Sequence, residues 1–122
     1  MDQSWKSNST SAMYSVPDIK PEITVLPSGN GMHRITAINP QTQSRDKPDF
    51  VMTVAFAHRV RNPRESVLKA EDMPSQSQLN PLRMFQHKEE DYGAVADYAV
   101  AYENANGERG PWSNVVSLII SG

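Results

Sequence analysis

The clearest alternation along the chain runs from Ala96 to Glu103, with Ala96, Tyr98, Val100 and Tyr102 in one row and Asp97, Ala99, Ala101 and Glu103 in the other. A period of two is that of a β-strand with one buried face. A second run, Val115 to Ile120, sets Val116, Leu118 and Ile120 against Val115, Ser117 and Ile119, and both rows are apolar enough that neither is singled out as inner. Between the runs, Asn106-Gly107 and Gly110-Pro111 supply residues that tolerate positive φ and one whose φ is fixed. Together they predict a β-hairpin.

The same reading extends upstream. Glu22 to Leu26, bounded by Pro21 and Pro27, predicts a short edge strand closed by the Ser28-Gly29-Asn30-Gly31 turn. Met32 to Asn39 predicts a second strand, in which Ile35 and Ile38 are three apart and call for a bulge or a change of inner face. After a polar loop from Gln41 to Asp49, Phe50 to Val60 predicts the central strand, with Phe50, Met52, Val54 and Phe56 on one face and Thr53, Ala55 and Ala57 on the other. Ser66 to Glu71 reads as a short strand or one helical turn, Asp72 to Pro81 as a loop, Leu82 to His87 as a strand and Lys88 to Gly93 as a corner. The expected core is Phe50, Val54, Phe56, Tyr98, Val100, Tyr102, Val116 and Leu118; truncating one of its aromatic members should cost about 3–5 kcal/mol.

Seven such runs with turns between them and no crossover helix predict an all-β fold, a seven-strand antiparallel sandwich, with a jelly roll as the alternative. Residues 1–20 read as a flexible polar tail or linker and residues 21–122 as the sandwich. Within the tail, Asn8-Ser9-Thr10 matches a glycosylation acceptor, and Trp5, Met13 and Tyr14 are apolar enough to dock on the sandwich or on a neighbouring domain.

The run Tyr102-Glu103-Asn104-Ala105-Asn106-Gly107-Glu108-Arg109-Gly110-Pro111-Trp112-Ser113 resembles the F–G region of fibronectin type III domains, where an aromatic-rich strand leads through Asn-x-x-Gly into Gly-Pro-Trp-Ser. The resemblance implies an immunoglobulin-like sandwich, either a divergent member of that family or a bacterial sandwich of similar topology. It also implies a non-catalytic structural or interaction module of a surface or secreted protein. By count, the tyrosine that such domains carry near the start of this strand falls at Ala96, with Tyr98 two residues on, and the predicted second strand holds no tryptophan.

Composition narrows the function classes. A chain of 122 residues with 38% hydrophobic content and a formal net charge of −2 suits one sandwich plus a polar segment, and lacks the cationic excess of a nucleic-acid binder. With no cysteine, disulfides, thiol nucleophiles and thiolate metal sites are excluded. No run of about 18 apolar residues occurs, so no membrane-inserted helix is expected. The opening residues show no signal-peptide pattern, so an exported protein would have this chain as its mature part or as an excised fragment.

No nucleophile elbow or phosphate loop is present, and His33, His58 and His87 fall in three separate predicted strands without metal-ligand spacing; neither an enzyme, a metal nor a cofactor is expected. The carboxylates of Glu89-Glu90-Asp91 diverge in a corner and read as a solvated turn. Candidate contact residues are Trp112, Tyr92, Arg59, Arg61 and Arg64. The arginines, interspersed with Glu65, Glu71 and Asp72, read first as a mixed surface of ion pairs and second as an anion site. Trp112 with Tyr92 or Tyr102 would suit stacking on a sugar, although packing on the hairpin itself is the plainer role. The expected partners are a protein or neighbouring domains, with a glycan as the alternative, and the expected state is an extracytoplasmic monomer.

Overall fold

A computed structural model describes residues 15–122. The Asn8-Ser9-Thr10 acceptor, Trp5, Met13 and Tyr14 lie outside the described residues. The fold is all-β, two antiparallel sheets packed face to face. The elements are β1 (Glu22–Pro27), β2 (Met32–Ile38), β3 (Thr53–Arg61), β4 (Ser75–Gln78), β5 (Leu82–Gln86), β6 (Val95–Glu103), β7 (Arg109–Trp112) and β8 (Val116–Ile119). One sheet is ordered β1-β2-β5; the other is β4-β3-β6, with β7 and β8 both paired to the far edge of β6.

Eight strands replace the expected seven because β7 forms within the segment read as the hairpin turn and pairs with β6 ahead of β8. Ala101 faces Trp112 and Tyr98 faces Val116, so four residues on one chain span three on the other. The extra residue flips the row: Trp112, opposite Ala101, lies on the outer face, whereas Val116, opposite Tyr98, lies on the inner one. Past the break between β7 and β8, Val116, Leu118 and Ile120 form the inner row; the 115–120 pattern hides it because the outer row is apolar too, with Val115 packed on the outer cluster and Ile119 exposed. Ser113 fills the gap, its backbone N–H donating to the Val100 carbonyl (2.7 Å) and its hydroxyl accepting from the Val100 N–H (2.9 Å).

The core holds Ile35, Ala37, Val54, Phe56, Ala96, Tyr98, Val100, Tyr102 and Ile120, with Ile19 and Val51 packed against it. Val116 and Leu118 are only half-buried. Phe50, expected inside, is 57% exposed: it precedes the strand, at φ 67° in a turn where the Val51 N–H donates to the Pro48 carbonyl. Val51 takes the core contact instead. Met52, also assigned to the inner row, is exposed.

Two other expectations are corrected. Strand β2 has no bulge, since its register with β1 is unbroken and its inner row is His33, Ile35 and Ala37, leaving Ile38 on the other face. Residues 66–71 form no strand; their one helical turn is a 3-10 turn at the end of the segment, Ala70–Asp72, and the missing strand is β4, within the segment read as a loop. Ahead of β1, Ser15 to Lys20 runs beside β7 and β8. The Asn104 amide donates to the Ser15 carbonyl (3.1 Å), the Pro17 carbonyl rests on Gly110, and Lys20 Nζ donates to Asn114 Oδ1 (2.8 Å).

Candidate functional site

The outer face of the β3–β6 ladder gathers most of the residues proposed from sequence. Arg59 and Arg61, two apart on β3, point the same way. Arg61 Nε donates to Asp97 Oδ2 at 2.7 Å, and Ser117 donates to the other oxygen at 2.6 Å; Asp97 is fully buried. Arg59 donates to Glu65 Oε2 (2.9 Å) and to the Ser66 carbonyl (2.9 Å), and Arg61 also reaches the Glu65 carbonyl (3.0 Å). Both guanidinium groups thus staple the 62–66 turn to the sheet. Arg64 sits exposed in that turn and does not join them. The three arginines therefore form no convergent anion site.

Trp112 shares this face further along. It covers Ala57, Ala70, Met73 and Ala99, and the Arg109 guanidinium lies 4.7 Å from its ring centre. Arg109 is held in turn by Glu103 Oε2 (3.1 and 3.0 Å), whose other oxygen accepts from Thr53 (2.8 Å). Burial pushes the Glu103 carboxyl up, but hydrogen bonds from Ser77, Thr53 and Arg109, together with the charge of Arg109, outweigh it and hold the group below its usual range. Tyr102 is buried on the opposite face of the sheet. Tyr92 lies beyond the far end of β6, packed on Gly31 and Gly122, where a Cβ would meet its ring at 2.7 and 2.8 Å. No stacking platform unites Trp112 with either tyrosine.

What sequence spacing did not bring together, the fold does. His33, His58 and His87 meet between the sheets around Tyr98. His87 Nδ1 stands 2.7 Å from the Gly31 carbonyl and His33 Nε2 3.3 Å from the Ile119 carbonyl; a carbonyl can only accept, so both nitrogens carry hydrogen. The lone pair left on His33 Nδ1 then accepts from the Tyr98 hydroxyl (2.8 Å), and that on His87 Nε2 accepts from His58 Nε2–H (3.0 Å). His33 and His87 thus have both ring nitrogens bonded, whereas His58 uses Nε2 alone. Burial, followed by the neighbouring histidines and Arg83 and opposed by Asp97, pulls His58 down to about 4; burial and His87 lower His33 as well. Among the described residues no group of three His, Cys, Asp or Glu side chains is placed to hold a metal ion.

The only sequence signal for this cluster is parity. His33 is two residues before Ile35, His58 two after Phe56, His87 two after Phe85 and Tyr98 two before Val100, so each occupies an inner-row position.

One end of the sandwich is apolar and open. Phe50 and Met52 line a hollow of about 170 Å³ with Val51 and Ala105. Lys47 Nζ ties the Met52 carbonyl (2.7 Å) to that of Leu79 (2.9 Å), bringing the 63% exposed Leu79 beside them.

Three-dimensional comparison decides the fold. The described architecture superposes on the FN1–FN3 domains of chicken CNTN1 with a TM-score of 0.63 at 11% identity, covering 87% of this chain and 33% of that one. The fold is fibronectin type III-like. A cytokine receptor complex gives 0.61 at 12% identity over 92% of this chain and 56% of its counterpart. The third fibronectin III domain of a human protein gives 0.59 at 11% identity, covering 88% and 86%. This chain therefore spans a third of the CNTN1 fragment and just over half of the receptor chain. No protein-family model matches the sequence, nor does any curated protein. Among the described residues no helix is long and apolar enough to cross a membrane.

Proposed function

We propose that this fibronectin type III-like chain is a non-catalytic, monomeric interaction module of a surface or secreted protein, which contacts a protein partner or a neighbouring domain through its apolar end. The observation carrying this reading is Phe50. An exposed aromatic held at φ 67° costs roughly 1–2 kcal/mol that asparagine or glycine would largely avoid, and Met52 and Leu79 stand exposed beside it. Strain without burial serves contact better than folding. The fold supports the non-catalytic role, since comparable domains serve within multidomain chains and a receptor complex. The two arginines and Trp112 first suggested as contact groups are engaged within the domain, which leaves the apolar end as the better surface.

A photo-crosslinking residue placed at position 50 in the native source should trap one defined protein, and the same residue at position 90 should not. Equal labelling from both positions, or none from position 50, would remove the reading.

A further inference from the structure

On one side of the sandwich two strand edges are free, because β4 pairs only with β3 and β5 only with β2. Between them opens a groove of about 320 Å³, lined by Phe56, His58, Pro74, Gln76, Arg83 and Phe85. Arg83 Nη2 donates to Gln76 Oε1 across its mouth, and the guanidinium carbon lies 4.9 Å from the Phe85 ring centre. Those contacts fix the cation in place. No carboxylate among the described residues pairs with it, so its charge is left without a counter-ion.

Behind Arg83 stands the histidine cluster. His58 Nε2 is committed to His87, and Nδ1 has no partner among the described residues; since no buried side-chain nitrogen or oxygen lacks one, solvent reaches Nδ1. The groove thus presents a fixed guanidinium, an imidazole lone pair and an aromatic floor. We propose that it binds a carboxylate, which pairs with Arg83 while the apolar body behind it rests on Phe56 and Phe85.

Occupancy changes the balance of charge around His58. The groups facing it are His33 from β2, Arg83 from β5, His87 just beyond β5 and Tyr98 from β6, while Asp97 acts on it by charge from the other face of β6. All but Asp97 and the neutral Tyr98 oppose a proton there. A bound carboxylate cancels Arg83 and supplies an acceptor, so a proton taken from solvent onto Nδ1 is donated to the second carboxylate oxygen. Binding with proton uptake tightens as pH falls.

The carboxylate could belong to a free acid or to an acidic side chain of a peptide, and two probes distinguish them. The intact chain is titrated by NMR with sodium benzoate, and separately with a capped alanine peptide carrying one central glutamate, at about pH 7 and about pH 5. Saturable shifts at Arg83 and Phe85 are expected, about tenfold tighter at the lower pH. Arg83→Gln should abolish them, and His58→Gln should keep binding but lose its pH dependence. Should Arg83→Gln fail to fold, Gln76→Glu, which sets a carboxylate of the protein's own against the guanidinium, should block the probe equally. Saturation by either probe with these losses supports the site and names its source. Binding by neither, or binding that survives both Arg83→Gln and Gln76→Glu, overturns it.

Discussion

On the outer face of the β3–β6 ladder Asp97 and Glu103 are buried, each gripped by an arginine and a hydroxyl; on the inner face His33 and His87 are buried and His58 half-buried, bonded to one another, to Tyr98 and to backbone carbonyls with no counter-charge. The two faces answer desolvation in opposite ways. Outside, stability requires every pair to be complete. Inside, it requires that no proton be added.

Breaking a pair should have the largest effect. Asp97→Ala leaves the Arg61 guanidinium nearly buried with no counter-charge, and should cost about 3–5 kcal/mol in urea unfolding. Replacing both partners, Arg61→Met with Asp97→Leu, should recover most of that. A loss under about 1 kcal/mol for the single change would mean that solvent screens the pair, and the contrast between the faces would collapse.

Acid separates the two faces by pH window. His58 is held at about 4 against an unfolded value near 6.5, so the unfolded chain binds the proton first. Its contribution is present above 6.5 and is lost as pH falls towards 4, by about 2 kcal/mol once its partial exposure is allowed for. Glu103, depressed below 4.5, contributes above that value and loses its contribution further down. Unfolding free energy measured against pH should therefore fall in two stages, and His58→Gln should flatten the upper one alone. An unchanged upper stage would show that His58 is not the titrating group.

A smaller effect tests whether neutral satisfaction extends to the backbone. Ser113→Ala strips the buried Val100 N–H of its acceptor at the strand break and should cost about 1–3 kcal/mol in thermal or urea unfolding. The smallest change lies away from both faces. Phe50→Asn relieves the positive φ with little burial to lose, and should stabilise by up to about 1 kcal/mol while weakening partner capture. Destabilisation by that variant would show that Phe50 serves packing.

The hairpin was legible because Tyr98, Val100 and Tyr102 alternate cleanly and Asn104 to Gly107 has real turn chemistry: Asn104 Oδ1 accepts from the backbone of Asn106 and Glu108 at 3.0 Å each. Strand β4 was not legible. Ser75-Gln76-Ser77-Gln78 is an edge strand held by its backbone against β3, and backbone pairing leaves no apolar period in the side chains. The histidine cluster was hidden for a related reason, since its members come from strands 25 to 54 residues apart and only parity betrays their common direction. Phe50 misled because an apolar row in register with Val54 and Phe56 continues through it, whereas strand β3 begins only at Thr53, three residues after the pattern does.

Gly110 has a bearing on how this protein behaves at high concentration. A Cβ there would collide with the Pro17 carbonyl, so only glycine lets Ser15 to Lys20 lie against β7 and shield that rim of the larger sheet. A single methyl group at position 110 would lift the shield and draw Ile19 away from the core. The expected result is a domain that melts earlier and also self-associates, as uncovered strands template one another.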